Sequence, residues 1–382
     1  MIELITSGES HGKGIFVTIK GIPSQLKIDV DFINNELSRR QIGYGRGGRM
    51  KIETDRTDIL AGIINGKTTG SPITIAIWNK DYENWKDKKT PPVLKPRPGH
   101  ADLIGAYKYG LTDDIRQVLE RSSARETSGR VAAGAIAKLF LKEFGIEVFS
   151  HVVNLGGIDI DTSIMNYSEI RERSEKSELR CAAPPAIEGK IKERIDIAKD
   201  EGDTLGGIIE TIVHPIPPFL GSYQSYEEKL DALIARSVLS IQAVKGIEFG
   251  LGFKYAYISG KNAHDEIFFD AESKKYFRKT NRAGGIEGGM SNGNAVVFRS
   301  VMKPIPTLMS PLNTINISTK EIEKAITERS DVTAVPACGV IIEAVTAIEV
   351  ANALLKRYGS DNLNQILKNF ENDLDLKEFK WK

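Results

Sequence analysis

The sequence predicts an α+β sandwich built as one large domain. Three observations carry this reading. Strand-like and helix-like apolar patterns are mixed along the chain without the strict βαβ rhythm of a doubly wound sheet. No proline- or serine-rich linker divides the 382 residues. Hydrophobic residues make up 41% and charged residues 27%, the composition of a globular chain able to bury a sizeable core.

The elements follow in order. Residues 16–22 alternate as a strand, and Pro23 ends it. Asp31 can cap a helix running to about Arg40. Residues 57–64 and 72–78 are apolar runs on either side of Asn65-Gly66, which is hairpin chemistry. Residues 79–98 hold Pro91, Pro92, Pro96 and Pro98 and read as a loop. The clearest helix covers 127–144. Its run Val131-Ala132-Ala133-Gly134-Ala135 lets a neighbour approach closely, and Gly145 sits where a C-terminal cap belongs. Strands around 147–153 and 207–213 flank polar helices near 167–175 and 191–199, and 226–239 is amphipathic. Ser318 with Glu321 makes a capping box opening a helix to Arg329. Residues 344–357 form another helix, and 359–382 read as a charged tail beyond a domain of 1–358. An echo, Gly66-x-Thr68-x-Gly70 and Gly202-x-Thr204-x-Gly206, precedes two apolar strands. An internal duplication would leave such a mark, and so would chance.

Composition excludes several classes. The 52 Lys+Arg against 51 Asp+Glu leave +1, so neither disorder nor a nucleic-acid coat is expected. Cys181 and Cys338 form no CxxC or CxxH pair, so a reducing compartment and no structural metal are expected. Glu3 and Glu9 sit where a signal peptide needs a basic start. The most apolar stretch, 338–355, is interrupted by Glu343, Glu349 and Asn352, so no membrane span is expected and the chain reads as cytoplasmic.

The chemistry collects in loops. His11 lies in Gly8-Glu9-Ser10-His11-Gly12, and His100 in Arg97-Pro98-Gly99-His100-Ala101-Asp102. Either could move a proton near neutral pH, or be a surface or cap histidine. His151 and His214 fall inside strands, where structural roles are expected. Arg39, Arg40, Arg46 and Arg49 are interleaved with Gly43, Gly45, Gly47 and Gly48. Glycine-freed amides and guanidinium forks make a site for phosphate or carboxylate. A second basic loop, Arg121-Ser122-Ser123-Ala124-Arg125-Glu126-Thr127, opens the strongest helix, whose dipole favours an anion. Arg329-Ser330-Asp331 is a third. Glycines cluster again at 284–293, ahead of Lys303-Pro304-Ile305-Pro306-Thr307. This is neither a dinucleotide fingerprint nor a phosphate loop, yet glycine lets backbone pass close over a flat ring. Two readings fit: an enzyme acting on a small polyanion with loss or transfer of phosphate, or a non-catalytic RNA or nucleotide binder. Neutral charge and 7% aromatic residues weigh against stacking-based RNA recognition.

Taken in order, these blocks resemble the chorismate synthase family. They are 8–12, 39–51 (RRQIGYGRGGRMK), 97–102 (RPGHAD), 121–127 (RSSARET), 240–246 (SIQAVKG), 281–293, 303–307 and 329–336 (RSDVTAVP). The resemblance implies a β-α-β sandwich, usually a homotetramer. It implies elimination of phosphate from 5-enolpyruvylshikimate 3-phosphate to give chorismate, dependent on reduced FMN. It implies that Arg40, Arg46, Arg49 and Arg125 bind substrate anions, with Arg40 and Arg46 also associated with a nicotinamide reductant, NADPH. His11 resembles the acid for departing phosphate, and His100 the partner that keeps reduced flavin correctly protonated. Ser10 and Asp331 resemble the pair that helps a flavin nitrogen accept the substrate proton. Flavin contacts carry over to Arg121, Ser122, Ser123, Gln242, Ala243, Gly288, Lys303, Pro304, Ile305, Pro306, Thr307 and Arg329. Two features depart from the family. Some relatives have Asn at Gln242, and 79–95 looks short, leaving the pocket less covered. No added reductase domain is visible, so an external reductant is expected.

Overall fold

The computed structural model describes residues 1–47, 54–88, 90–327 and 331–381. Two antiparallel sheets enclose a layer of helices. The four-stranded sheet runs Glu3–Ser7, Gly14–Lys20, Ile73–Trp78, Asp58–Ala61. The five-stranded sheet runs Val244–Phe249, Val296–Met302, Gly207–His214, Glu147–Leu155, Ile158–Asp159. Period-two alternation aims one face of each sheet inward. Ile15, Val17, Ile19, Ile73, Ile75 and Ile77 do so from the first, and Val148, Val152, Ile209, Val213, Val296 and Phe298 from the second.

Between them lie helices Thr127–Lys142, on the smaller sheet, and Val335–Tyr358, on the larger, packed against each other. This is the β-α-β sandwich. Gly134 allows the close approach expected of it: a Cβ there would land on the backbone of Ala344. Helix Val335–Tyr358 is long and apolar enough to cross a membrane, but its apolar window is 94% buried in the fold. Its Glu343, fully buried, accepts from Arg39 Nη1 (2.8 Å), Lys138 Nζ (2.6 Å), Arg180 Nη2 (2.8 Å) and the Ser150 N–H (3.0 Å). Burial alone would raise its pKa. The charges of Arg39, Lys138 and Arg180 instead hold it well below the carboxylate range.

Several expectations need correction. Asp29, not Asp31, caps helix Val30–Gln41, accepting from the Phe32 N–H at 3.0 Å. Asn65-Gly66 closes a short inner hairpin of Ile63–Ile64 with Lys67–Thr68, both turn residues having positive φ (51° and 74°). The longer pairing, Asp58–Ala61 with Ile73–Trp78, passes a bulge. The helix expected from Ser318 does not form. Asn316 Oδ1 accepts the N–H groups of Ser318 (3.0 Å) and Thr319 (3.3 Å). Lys320 takes φ 66°, and the chain returns as strand Ile322–Lys324 against Asn313–Ile315. A local side-chain turn has captured the backbone groups a helix start would use. The expected tail also packs: Asn362 caps helix Leu363–Glu371, whose Leu363, Ile366 and Phe370 join the core with Leu376.

The two echo threonines occupy similar posts. Thr68 and Thr204 are both buried, and each hydroxyl donates to a carbonyl just past a strand, Pro23 O at 2.6 Å and Ile305 O at 2.8 Å.

Candidate active site

The site lies where loops leave the smaller sheet and meet the start of helix Thr127–Lys142. Residues 121–127 are a helix end (Arg116–Ser122), one 3₁₀ turn (Ala124–Glu126) and the helix start. Ser123 caps the turn, accepting from the Arg125 N–H at 3.3 Å, and donates to Ser10 Oγ at 3.2 Å. This brings the first and fourth sequence blocks together.

Arg40 and Arg125 converge on one buried carboxylate, Asp55. Arg40 Nη2 donates to Asp55 Oδ2 at 2.7 Å, and Arg125 Nη1 donates to Oδ1. Arg125 also reaches Asn79 Oδ1 at 3.4 Å. Burial would raise the Asp55 pKa, but the two guanidinium charges lower it. Arg46 pairs with Asp331 Oδ2 at 2.8 Å, and the Gly47 N–H donates to Asp331 Oδ1 at 2.6 Å. Burial depresses the Arg46 pKa, Asp331 opposes this, and Arg40 adds to the depression. Arg46 is therefore a desolvated cation with Asp331 as its counter-ion and Arg40 as a weaker like-charged neighbour, a setting in which a bound anion is favoured.

The histidines are each held by a carboxylate. His11 Nδ1 lies 2.7 Å from Glu120 Oε1. His100 Nδ1 contacts Asp102 Oδ1, and Arg97 Nε donates to Asp102 Oδ2 at 2.9 Å. Burial works against ionised Asp102, but the His100 and Arg97 hydrogen bonds and charges hold its pKa at about 2. Arg97 continues to Thr307 Oγ1 at 2.9 Å. Lys303 Nζ donates to Gly99 O, and the Lys303 N–H to Ala243 O at 3.0 Å. Gln242 donates to Glu126 Oε2 at 3.4 Å, and Thr6 donates to Glu126 Oε1 at 2.7 Å. Arg121 Nη2 donates to Thr6 O at 2.8 Å. Through these contacts Ser10, His11, Arg40, Arg125, Arg121, Ser123, Gln242, Ala243, Lys303, Thr307 and His100 form one connected region. Pro306 lies beside Gly99.

Other expected residues stand differently. The Ser122 hydroxyl turns back to Val118 O at 2.6 Å. Pro304 lies beside Gly206, and Ile305 packs on the core. Gly288 sits in the hairpin Ile286–Glu287/Met290–Ser291, tied through Gly289 O to the Leu230 N–H. In the same hairpin Glu287 accepts from Arg278 Nη2 at 2.6 Å. Arg49 and Arg329 lie outside the described residues. Arg39 leaves the anion loop altogether for Glu343. His151 is a buried strand residue bonded to Glu210 at 3.1 Å, as expected.

Sequence reasoning missed Asp55, Asn79, Glu120 and Trp85, and quoted Glu126, Arg97 and Asp102 without giving them roles. The available signal was position: Glu120 adjoins the second basic loop, and Asp55 follows the first. Segment 79–95, expected to cover the pocket poorly, sets the Trp85 ring 4.1 Å from that of His11.

Cations balanced by carboxylates, flanked by two carboxylate-held histidines on this fold, mark the class as an enzyme acting on a small molecule. A family model described as chorismate synthase matches residues 2–355. The chorismate synthase of Alkaliphilus metalliredigens is 52% identical over 379 residues, covering 97% of this chain and 99% of its own. That of Enterococcus faecalis is 52% identical over 377 residues, covering 96% of each. A crystal structure of chorismate synthase superposes with a TM-score of 0.81 at 39% identity, over 99% of both chains. The chain belongs to the chorismate synthase family and has that family's function, a lyase of the shikimate pathway acting on a small molecule. The nucleic-acid-binding alternative is not favoured.

Proposed function

We propose that the chain eliminates phosphate in a trans-1,4 sense from 5-enolpyruvylshikimate 3-phosphate, giving chorismate, with reduced FMN required and no net redox change. The observation that carries this is the convergence of Arg40, Arg125 and Arg46 on two carboxylates. Two carboxylates and a phosphate on the substrate need several guanidinium groups, and charge-assisted forks suit them. Arg49 completes this set in the reading.

The residues present fit a flavin. Gln242 Oε1 is buried without a hydrogen-bond partner among the described residues, an acceptor that a ring N–H would satisfy. Ala243 holds φ 68°, which brings its backbone into a tight turn beside Lys303. Arg121, Ser123, Gln242, Ala243, Lys303 and Thr307, which share the connected region, would hold the cofactor, and the family resemblance adds Ser122, Gly288, Pro304, Ile305, Pro306 and Arg329. Bound reduced flavin supplies an electron-rich ring with a nitrogen able to take a proton. His11 gives a proton to the departing phosphate, and His100, braced by Asp102, keeps the cofactor's protonation state. Ser10 and Asp331 orient the proton taken from the substrate ring. Arg40 and Arg46 also suit a nicotinamide phosphate, so NADPH is a candidate reductant, although external reduction is the reading we favour. A cytoplasmic homotetramer is the proposed assembly.

An anaerobic assay with dithionite-reduced FMN tests the reaction, with phosphate and chorismate as readouts. Turnover that is equal without flavin, or absent with it, overturns the reading.

A further inference from the structure

One carboxylate grips both the main chain and the ring of His11. The His11 N–H donates to Glu120 Oε2 at 2.7 Å, and His11 Nδ1 lies 2.7 Å from Glu120 Oε1. Glu120 is on helix Arg116–Ser122, and its own carbonyl accepts the Ser10 N–H at 3.2 Å. The ring is also held from its face. Trp85 packs on it with centroids 4.1 Å apart and planes at 34°, and Trp85 Nε1 donates to Asp81 Oδ2 at 2.8 Å. Both members of the His11–Glu120 pair are largely shielded, their side chains 27% and 18% exposed.

An ionised carboxylate only accepts hydrogen bonds. With Glu120 ionised and accepting the His11 N–H, the ring nitrogen facing it carries a hydrogen, whatever the other nitrogen does. We propose that Glu120 is the positioning residue for His11. It holds a proton on Nδ1 and so makes Nε2 the atom that gives up the mobile proton, while Trp85 keeps the ring in that pose. This rests on reading His11 as the acid for departing phosphate. In that step the Nε2–H bond breaks and an O–H bond forms on phosphate. His11 passes from imidazolium to the neutral Nδ1–H tautomer, and Glu120 neither gains nor loses a proton. The device is the general one of a carboxylate that selects a histidine tautomer.

Glu120→Gln tests it. The amide oxygen can still accept the His11 N–H, but its NH₂ then faces Nδ1 and selects the opposite tautomer. Nitrogen-15 spectra of the full chain carrying ring-labelled histidine, with His11→Asn identifying the signals, report the tautomer directly. We expect neutral wild-type His11 protonated at Nδ1 and neutral Glu120→Gln protonated at Nε2. We expect kcat to fall ~10²–10⁴-fold, with KM and FMN affinity within about threefold. Glu120→Asp should recover part of the loss. A wild-type tautomer protonated at Nε2 overturns the proposal even if the variant does not fold. So does a folded Glu120→Gln enzyme with an unchanged tautomer or with kcat within threefold of wild type. The spectra do not depend on turnover. A fully active His11→Asn enzyme would therefore remove the acid role, while the tautomer separately decides what Glu120 does to the ring.

Discussion

Arg39 and Arg40 are consecutive on helix Val30–Gln41 and bind carboxylates on different parts of the fold. Arg39 joins Glu36 at 2.7 Å, Glu343 at 2.8 Å and Glu175, between the helices. Arg40 reaches Asp55 at 2.7 Å in the candidate active site. One turn of helix thus ties the core's buried charges to the pocket's cations.

Glu343→Gln should be strongly destabilising while leaving activity per folded molecule unchanged. Three cations would lose the buried carboxylate they share and keep only Glu36 and Glu175, a loss worth about 3–5 kcal/mol for a buried network. The urea midpoint reads this directly. A change below about 1 kcal/mol would mean that the network contributes little.

Gly134→Ala adds one methyl group where the Thr127–Lys142 and Val335–Tyr358 helices touch. With Ala344 backbone in its way, the pair must separate, and overpacking of this kind costs about 1–3 kcal/mol. Thermal unfolding at or above the wild-type midpoint would show that the crossing relaxes freely.

Arg46→Ala should weaken substrate binding before anything else. Loss of one charge-assisted contact in a desolvated site costs about 1.5–3 kcal/mol, roughly 10- to 150-fold in affinity. Substrate and FMN titrations separate the roles: unchanged substrate affinity with lost FMN binding would reassign the loop to the cofactor.

Asp102 should give the protein an acid-sensitive stability term. Its folded pKa of about 2 lies below the ordinary 3.8, so the unfolded chain binds the extra proton between those values. The stabilisation is complete above about pH 4 and disappears as pH falls toward 2. It amounts to about 2 kcal/mol. Urea unfolding of Asp102→Asn should be weaker at pH 7 and flatter with pH on the acid side. A slope equal to wild type would contradict it.

His11→Ala and His100→Ala should each lower turnover by ~10–10⁴-fold yet differ in spectrum. Loss of His100 should change the absorbance of bound reduced flavin, whereas loss of His11 should leave it near wild type and slow phosphate release. Exchanged spectra would exchange the roles. Loss of less than threefold in both would make them structural.

Strand and helix positions that bury one face were legible because apolar spacing reports the face directly. The 127–144 pattern and the 147–153 and 207–213 strands are examples. Ser318-x-x-Glu321 misled because a local signature does not reveal that Asn316 already occupies the neighbouring amides. The 359–382 segment misled because its charges hid the spacing of Leu363, Ile366 and Phe370.

By itself the sequence determined the fold class, the family, and the residue types proposed for the site: arginines among glycines, two loop histidines, Asp331 and Ser10. Only the tertiary structure decided how they are used. It sent Arg39 to Glu343 and Arg40 to Asp55, set Glu120 and Trp85 on His11, and put Gly288 in a short hairpin. The physical reason is that periodicity and turn chemistry act over a few residues. The carboxylates that orient these cations and imidazoles come from distant parts of the chain, and only the packed helices and sheets bring them within hydrogen-bonding distance.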